Sequence, residues 1–441
     1  MQISVAAVNG SSVDEGRQPL VPKDRLVPFV LVTALFFLWG VPNNLNDILI
    51  RQFMKSFEIT RLEAALVQSA FYMGYFLLAI PAGQMMRRFG YKAGILTGLC
   101  TYGVGCFLFW PAAIVSQYWF FLTALFVIAC GLAFLETAAS PFIVQVGSAT
   151  NAEQRLNFSQ AFNPLGSISA VLIGSRFIFS GVELKPAQVA AMQAAHTYQA
   201  YLRGETLRVV VPYLVLGCVV LVWAALIART KFPHAGMDHS EAEEKTDHSL
   251  PLWKRKHFVW AVGAQFLYVG AQVGTWSYLI SYVQTYTGAT ERSAGFWLTG
   301  ALAAFTAGRF VSTLLMRVFQ AEKLLAAFAL INTTIVAVAA LHPGQAGVYC
   351  LLATSFFMSM MFPTIFAAGI KGLGTHTKTA GSLIVMAIIG GAALTPVMGK
   401  VADSYGIAMG YLVPAACFVG VAVYAWFGAA MEVGEIVEER S

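Results

Sequence analysis

The chain has 441 residues, of which 58% are hydrophobic and only 11% charged, with a net charge of +6. Soluble domains carry about 25% charged residues, so the composition excludes an ordinary water-soluble fold and indicates a membrane protein that crosses the bilayer many times. The small net charge gives no footing to nucleic-acid binding, and the chain contains no Walker A, dinucleotide fingerprint or HExxH motif that would argue for catalysis.

Residues 1–26 are polar, and no apolar stretch precedes Val27. The first hydrophobic run is expected to remain as a span rather than be cleaved. A crossing needs roughly 20 apolar residues. Twelve candidate runs follow: 27–50, 62–85, 93–113, 118–146, 157–180, 208–229, 257–285, 294–316, 322–342, 346–370, 379–402 and 407–431. The charged, Pro-containing insert 230–256 divides them six and six and reads as a linker. The expected fold is an all-α membrane protein of twelve transmembrane helices in two six-helix bundles. Its parts are a tail at 1–26, bundles at 27–229 and 257–431, the linker 230–256, and a tail at 432–441. A second insert, 181–207, reads as a short amphipathic loop. The linker histidines His234, His239 and His248 lack an ordered frame, so no metal site is expected. The six cysteines lie in apolar runs without a CxxC and read as small buried residues.

The two halves share punctuation. Gly83 to Lys92 closes the second span, and Gly308-Arg309 followed by Arg317 to Lys323 closes the eighth. Pro141 interrupts the fourth span and Pro363 the tenth. Such a faint repeat fits a carrier that rocks one bundle against the other. Lys and Arg concentrate in the segments at 17–25, 87–92, 229–256, 317–323 and 371–378. This bias puts both termini and the linker on the cytoplasmic side. The loop 51–61, with Arg51, Lys55 and Arg61, dissents.

Glu136 is the only charged residue between Tyr118 and Val146, and Asp47 closes the polar cluster Asn43, Asn44, Leu45, Asn46 in the first span. A charged side chain at the bilayer centre costs roughly 3 kcal/mol or more. Such a group is kept only where it faces protein or water. Desolvation favours the neutral form of a buried carboxyl, which can then load and release a proton near neutral pH. A neutral Glu tying helices together is the plainer alternative for Glu136, and a polar helix end the plainer one for Asp47. Along one face of the first span lie Trp39, Asn43, Asn46 and Asp47. The fifth span aligns Gln160, Asn163 and Ser167, and the seventh aligns Gln265, Tyr268, Gln272, Thr275 and Trp276. Amides hydrogen-bond hydroxyls in both directions, and aromatic faces cover C–H patches, so these stripes suit a polyol ring. Each stripe alone could equally be glue between helices. Arg309 and Arg176, near span ends, read as snorkelling cations.

The segments FFLWGVPNNLNDILI, QSAFYMGYFLLAIPAG, YKAGILTGL, LETAASPF, YVGAQVGTWSYLI, FPTIFAAGIKGLG and IIGGAALTPVMG resemble the L-fucose:proton symporter family of the major facilitator superfamily. The likeness implies sugar uptake coupled to protons by alternating access, with no other cofactor, by a monomer. It implies proton coupling at Asp47 and Glu136. Trp39, Asn43, Asn44, Gln160, Asn163, Gln272, Trp276 and Tyr278 would line the sugar cavity, with Phe362 where the family pattern has Tyr. Ser140 stands where Asn is expected, and Arg87 replaces the acid of the turn after the second span. The wider family also carries glucose, galactose and other hexoses, and two other readings stay open: a proton-coupled exporter of drugs or lipids, which the amide-rich faces disfavour, and a membrane sugar sensor that does not transport.

Overall fold

The computed structural model describes residues 20–59, 63, 66–180, 182, 184–232 and 251–440, with the side chains of residues 47, 51, 171, 175, 291, 292, 375 and 428–440 outside the description. The linker histidines and Arg61 therefore lie outside the described residues. Within them every regular element is a helix, and nine helices are long and apolar enough to cross a membrane. One of these, the run Leu66–Val115, holds both the second and third spans. Gly90 separates the two crossings with φ 80° and ψ 173°, a conformation that L side chains rarely adopt.

The fifth and seventh spans fall outside that count for physical reasons. The fifth is broken at Ala161 into Ala152–Gln160 and Phe162–Ile173. The seventh, Lys256–Thr287, is long enough but is diluted by its amides and hydroxyls. The whole is the major facilitator fold of two helical bundles. Turns at Gly90, Ser148–Asn151 and Gly372–His376, together with the described ends of the linker at 230–232 and 251–256, lie at one end of the molecule, here termed the linker end.

The first and fifth spans approach backbone to backbone. A Cβ on Gly40 would stand 2.2 Å from the carbonyl oxygen of Asn163, and one on Gly166 would stand 2.1 Å from that of Phe37. Glycine is required at both positions because nothing larger fits. The insert 181–207 is more than a loop. It forms two helices, Pro186–Ala194 and Tyr198–Leu207. The second is clamped to the first span: the Glu205 carboxylate accepts from Lys55 Nζ at 3.0 Å and from Gln52 Nε2 at 3.1 Å. Lys55 also donates to Ser180 Oγ and to the Val182 carbonyl. This clamp accounts for part of the dissenting loop, since the Lys55 charge is matched on the same side by Glu205.

Arg155, near the start of the fifth span, is buried. Its Nε donates to the Ile143 carbonyl at 2.8 Å and its Nη1 to that of Ser148 at 2.8 Å, while Nη2 donates to Val144. It caps the carbonyl-rich end of the fourth span. The cysteines divide. Cys106, Cys130 and Cys417 are buried, Cys350 is half-buried, and Cys100 and Cys218 are exposed on membrane-spanning helices.

Candidate functional site

Prolines in the fifth and tenth spans organise the centre of the molecule. A helical proline cannot bond to the carbonyl four residues earlier and pushes it aside. Pro164 thereby frees the carbonyl of Gln160, and Pro363 frees that of Ser359. Both oxygens are taken by Arg309, whose Nη1 donates to Gln160 O at 2.6 Å and whose Nε donates to Ser359 O at 3.0 Å. The same Nη1 reaches the Gln160 side-chain oxygen at 3.1 Å, and the guanidinium lies 4.9 Å from the Phe305 ring centroid. Arg309 is only 5% exposed. It is not a snorkelling cation, because two proline-released carbonyls and an amide hold it inside.

This contact joins the two halves. Below Arg309, Asn157 Nδ2 donates to the Arg309 carbonyl at 2.9 Å and to Thr313 Oγ1 at 2.8 Å, and Gln154 Nε2 donates to the Thr313 carbonyl at 2.9 Å. Gln154, Asn157 and Gln160 thus form a polar ladder along the fifth span against the eighth. The ladder closes the linker end. A Cβ on Gly381 would meet the Pro141 ring at 3.0 Å, a further contact between halves at that level.

Glu136 is buried in the fourth span and interacts electrostatically with both Arg309 and Tyr75. It sits about 14 Å of helical rise from the end of its helix at Gln145, and Arg309 about 9 Å from Leu315. The two charges therefore lie at neighbouring depths in the linker half of the membrane. Phe362 belongs to the same layer. Its ring meets Tyr268 edge-on at 6.4 Å and stacks on Phe366 at 6.5 Å. Tyr268 in turn feels the Arg309 charge. Glu136, Gln160, Arg309, Tyr268 and Phe362 make one cluster drawn from both bundles.

A second layer lies nearer mid-membrane. Trp39, Asn43 and Gln272 stand roughly 20, 26 and 24 Å of rise from the linker-end starts of their helices. Trp39 is buried against Phe36, with ring centroids 4.3 Å apart. Trp276 donates from Nε1 to Ser355 Oγ at 3.1 Å and meets Phe305 edge-on at 5.1 Å. Asn44 and Gln272 are half-buried. Asp47 continues the helix of the first span, but its side chain is outside the description. Some of the remaining expected residues also pack within their own half. Asn163 Nδ2 donates to the Phe36 carbonyl at 3.2 Å. The Tyr278 hydroxyl lies where a Cβ on Gly399 would stand only 2.4 Å away.

Several polar atoms at the centre are buried without a hydrogen-bond partner among the described residues: Asn43 Oδ1, Gln160 Nε2, Ser140 Oγ and the Tyr268 hydroxyl. Buried polar groups ordinarily find a protein, water or ligand partner. A polyhydroxylated ligand supplies donors and acceptors together.

A two-bundle helical protein with a charged, amide-lined centre at the junction of its halves is a membrane carrier. Residues 29–379 match the family model of the Major Facilitator Superfamily, and the chain belongs to that family. It is a transporter, not an enzyme. It is 46% identical to the L-fucose-proton symporter of Escherichia coli (strain K12) over 410 residues, covering 92% of this chain and 94% of that protein. It is 34% identical to a glucose/galactose transporter of Brucella abortus biovar 1 (strain 9-941), covering 90% of this chain and 93% of that one. Its structure superposes on the crystal structure of the transporter FucP in the outward conformation with a TM-score of 0.84 and 45% identity, over 92% of this chain and 99% of that one.

Proposed function

We propose that the chain imports L-fucose with protons across the inner membrane by alternating access, with both termini and the linker end in the cytoplasm. The two rocking units are residues 27–229 and 257–431, joined by 230–256, and one chain suffices. The observation that carries this reading is the electrostatic attraction between two buried charges at neighbouring depths, Glu136 in one half and Arg309 in the other. A proton on Glu136 removes its attraction for Arg309. That loosens the polar ladder and lets the linker end open. An inward proton is worth about 2.3 kcal/mol per 100 mV of membrane potential, which is enough to drive accumulation. Asp47, on the first span, is the second proton site.

The sugar sits between the layers. Gln160, Asn163, Asn43, Asn44 and Gln272 offer it amides, and Trp39, Trp276 and Tyr278 offer it rings. Phe362 and Phe366 form an apolar wall. A methyl group suits that wall, whereas a hydroxymethyl there would lose water without gaining a partner. L-Fucose carries such a methyl, and L-galactose differs from it by a hydroxyl at that carbon. The test is sugar-induced alkalinisation of an unbuffered cell suspension, with L-fucose, L-galactose, D-galactose and D-glucose offered in turn. L-Fucose is expected to give the largest signal. A larger signal with glucose or D-galactose would reassign the substrate, and silence with all four would remove the coupled-sugar reading.

A further inference from the structure

At the linker end, the turn after the second span faces the start of the seventh and eleventh spans across a crevice of about 490 Å³. That size falls within the roughly 300–1,000 Å³ of ligand pockets. Leu252, Phe258, Val262 and Leu383 give it apolar walls, and Trp253, 76% exposed, lines it beside Arg87. His376 and Thr379 are its other polar groups, and among the described residues no carboxylate lines it. Arg87 stands close enough to Lys378 for the two cations to repel. Among the described residues no acid pairs with either.

We propose that this crevice binds one anionic phospholipid, its acyl chain along the apolar walls and its phosphate on Arg87. Three observations select that occupant. The walls would contribute nothing to a small soluble anion. A zwitterionic headgroup would bring its own cation toward Arg87 and Lys378. The exposed Trp253, flanked by the exposed Lys254 and Lys256, has the character of a residue at the headgroup level on a basic membrane face. The site also bridges the halves. Arg87 comes from the first, and the remaining lining comes from the second and from the residues leading into it. The halves touch beside it, since a Cβ on Gly83 would lie 2.7 Å from Ser382 Oγ. A lipid held there favours the arrangement in which the linker end is closed, because only that arrangement brings Arg87 to the crevice.

The test uses the full-length protein in nanodiscs of phosphatidylcholine mixed with either dibromo-phosphatidylglycerol or dibromo-phosphatidylcholine at equal fractions. Bromine quenches nearby indoles, and the emission of Trp253 is isolated as the difference between the wild-type protein and Trp253→Phe. The brominated phosphatidylglycerol is expected to quench that signal several-fold more than the brominated phosphatidylcholine. Arg87→Gln should abolish the preference while leaving the thermal midpoint unchanged, and added inorganic phosphate should leave the preference standing. Equal quenching by the two lipids would overturn the proposal, as would a preference that survives Arg87→Gln. Loss of the preference to free phosphate would mean a site for the headgroup anion alone, which also overturns it. A preference emerging only after Asp238, Glu241, Glu243 and Glu244 are neutralised would assign the crevice to the acidic linker instead.

Discussion

A single guanidinium nitrogen of Arg309 donates to both oxygens of Gln160, the backbone carbonyl at 2.6 Å and the side-chain amide at 3.1 Å, and so bolts the eighth span to the fifth. Replacing Arg309 with Gln or Lys leaves at least one proline-released carbonyl without its donor. Hydrogen bonds to charged groups contribute about 1.5–3 kcal/mol each. Both variants are therefore expected to lower the thermal midpoint in detergent, and to raise the labelling rate of a cysteine placed at the buried Ser312, next to the ladder residue Thr313. Unchanged melting and labelling would show that the bolt carries no load.

Glu136→Gln mimics the protonated acid permanently. Uphill accumulation of sugar is expected to vanish, while exchange of labelled for unlabelled sugar across the membrane continues. Proteoliposomes with and without an imposed pH gradient measure both. Accumulation that survives near neutral pH would remove Glu136 from coupling.

Asn163 serves two masters in the proposed arrangement, the Phe36 carbonyl and the sugar. Asn163→Ala is expected to weaken sugar binding by roughly 1–3 kcal/mol, the cost of stranding a polar partner. Isothermal titration measures that loss, and a parallel melt separates it from loosened packing between the first and fifth spans. An unchanged affinity with a lowered melting point would make Asn163 a packing residue only.

The clamp of Lys55 on Glu205 predicts a specific ordering of variants. Glu205 is 4% exposed and Lys55 31%. Removing only Lys55 strands the buried carboxylate, whereas Lys55→Met with Glu205→Gln strands less. Partial exposure of Lys55 screens the pair, so the coupling energy from a double-mutant cycle is expected to be about 1 kcal/mol. A cycle that closes at zero would leave Gln52 and the helix packing as the real anchors.

Gly166→Ala is expected to fold poorly, because the new methyl would lie 2.1 Å from the Phe37 carbonyl oxygen. Overpacking costs about 1–3 kcal/mol when the surroundings can shift, and backbone here shifts little. Expression and monodispersity on size-exclusion chromatography read the outcome.

The spans were legible because hydrocarbon imposes a length and a composition that show in any window of the chain. The acid inside the fourth span was legible for the same reason, as an exception that needs a cause. Arg309 was not. A lone arginine near a span end snorkels far more often than it is buried, and its partners lie 50 and 149 residues away along the chain. The signal was available in Pro164 and Pro363, since each frees a carbonyl that something must satisfy. Glu205 was hidden differently. It sits in a polar insert, where an acid ordinarily faces water, and only the fold brings Lys55 to it. Asn163 shows the remaining limit: a polar stripe on a helix looks the same whether it faces a ligand or another helix.

The prolines at 164 and 363 put a permanent cost on unlatching. The oxygens they expose belong to the main chain, so no change of conformation within those turns can re-pair them, and separating the bundles at that level obliges water to enter and solvate two carbonyls and a guanidinium at once. Hydration of that spot is therefore a step of the cycle in its own right. A transporter built this way would idle with its linker-end door shut and turn over at a pace set in part by how readily a few water molecules can reach the bolt.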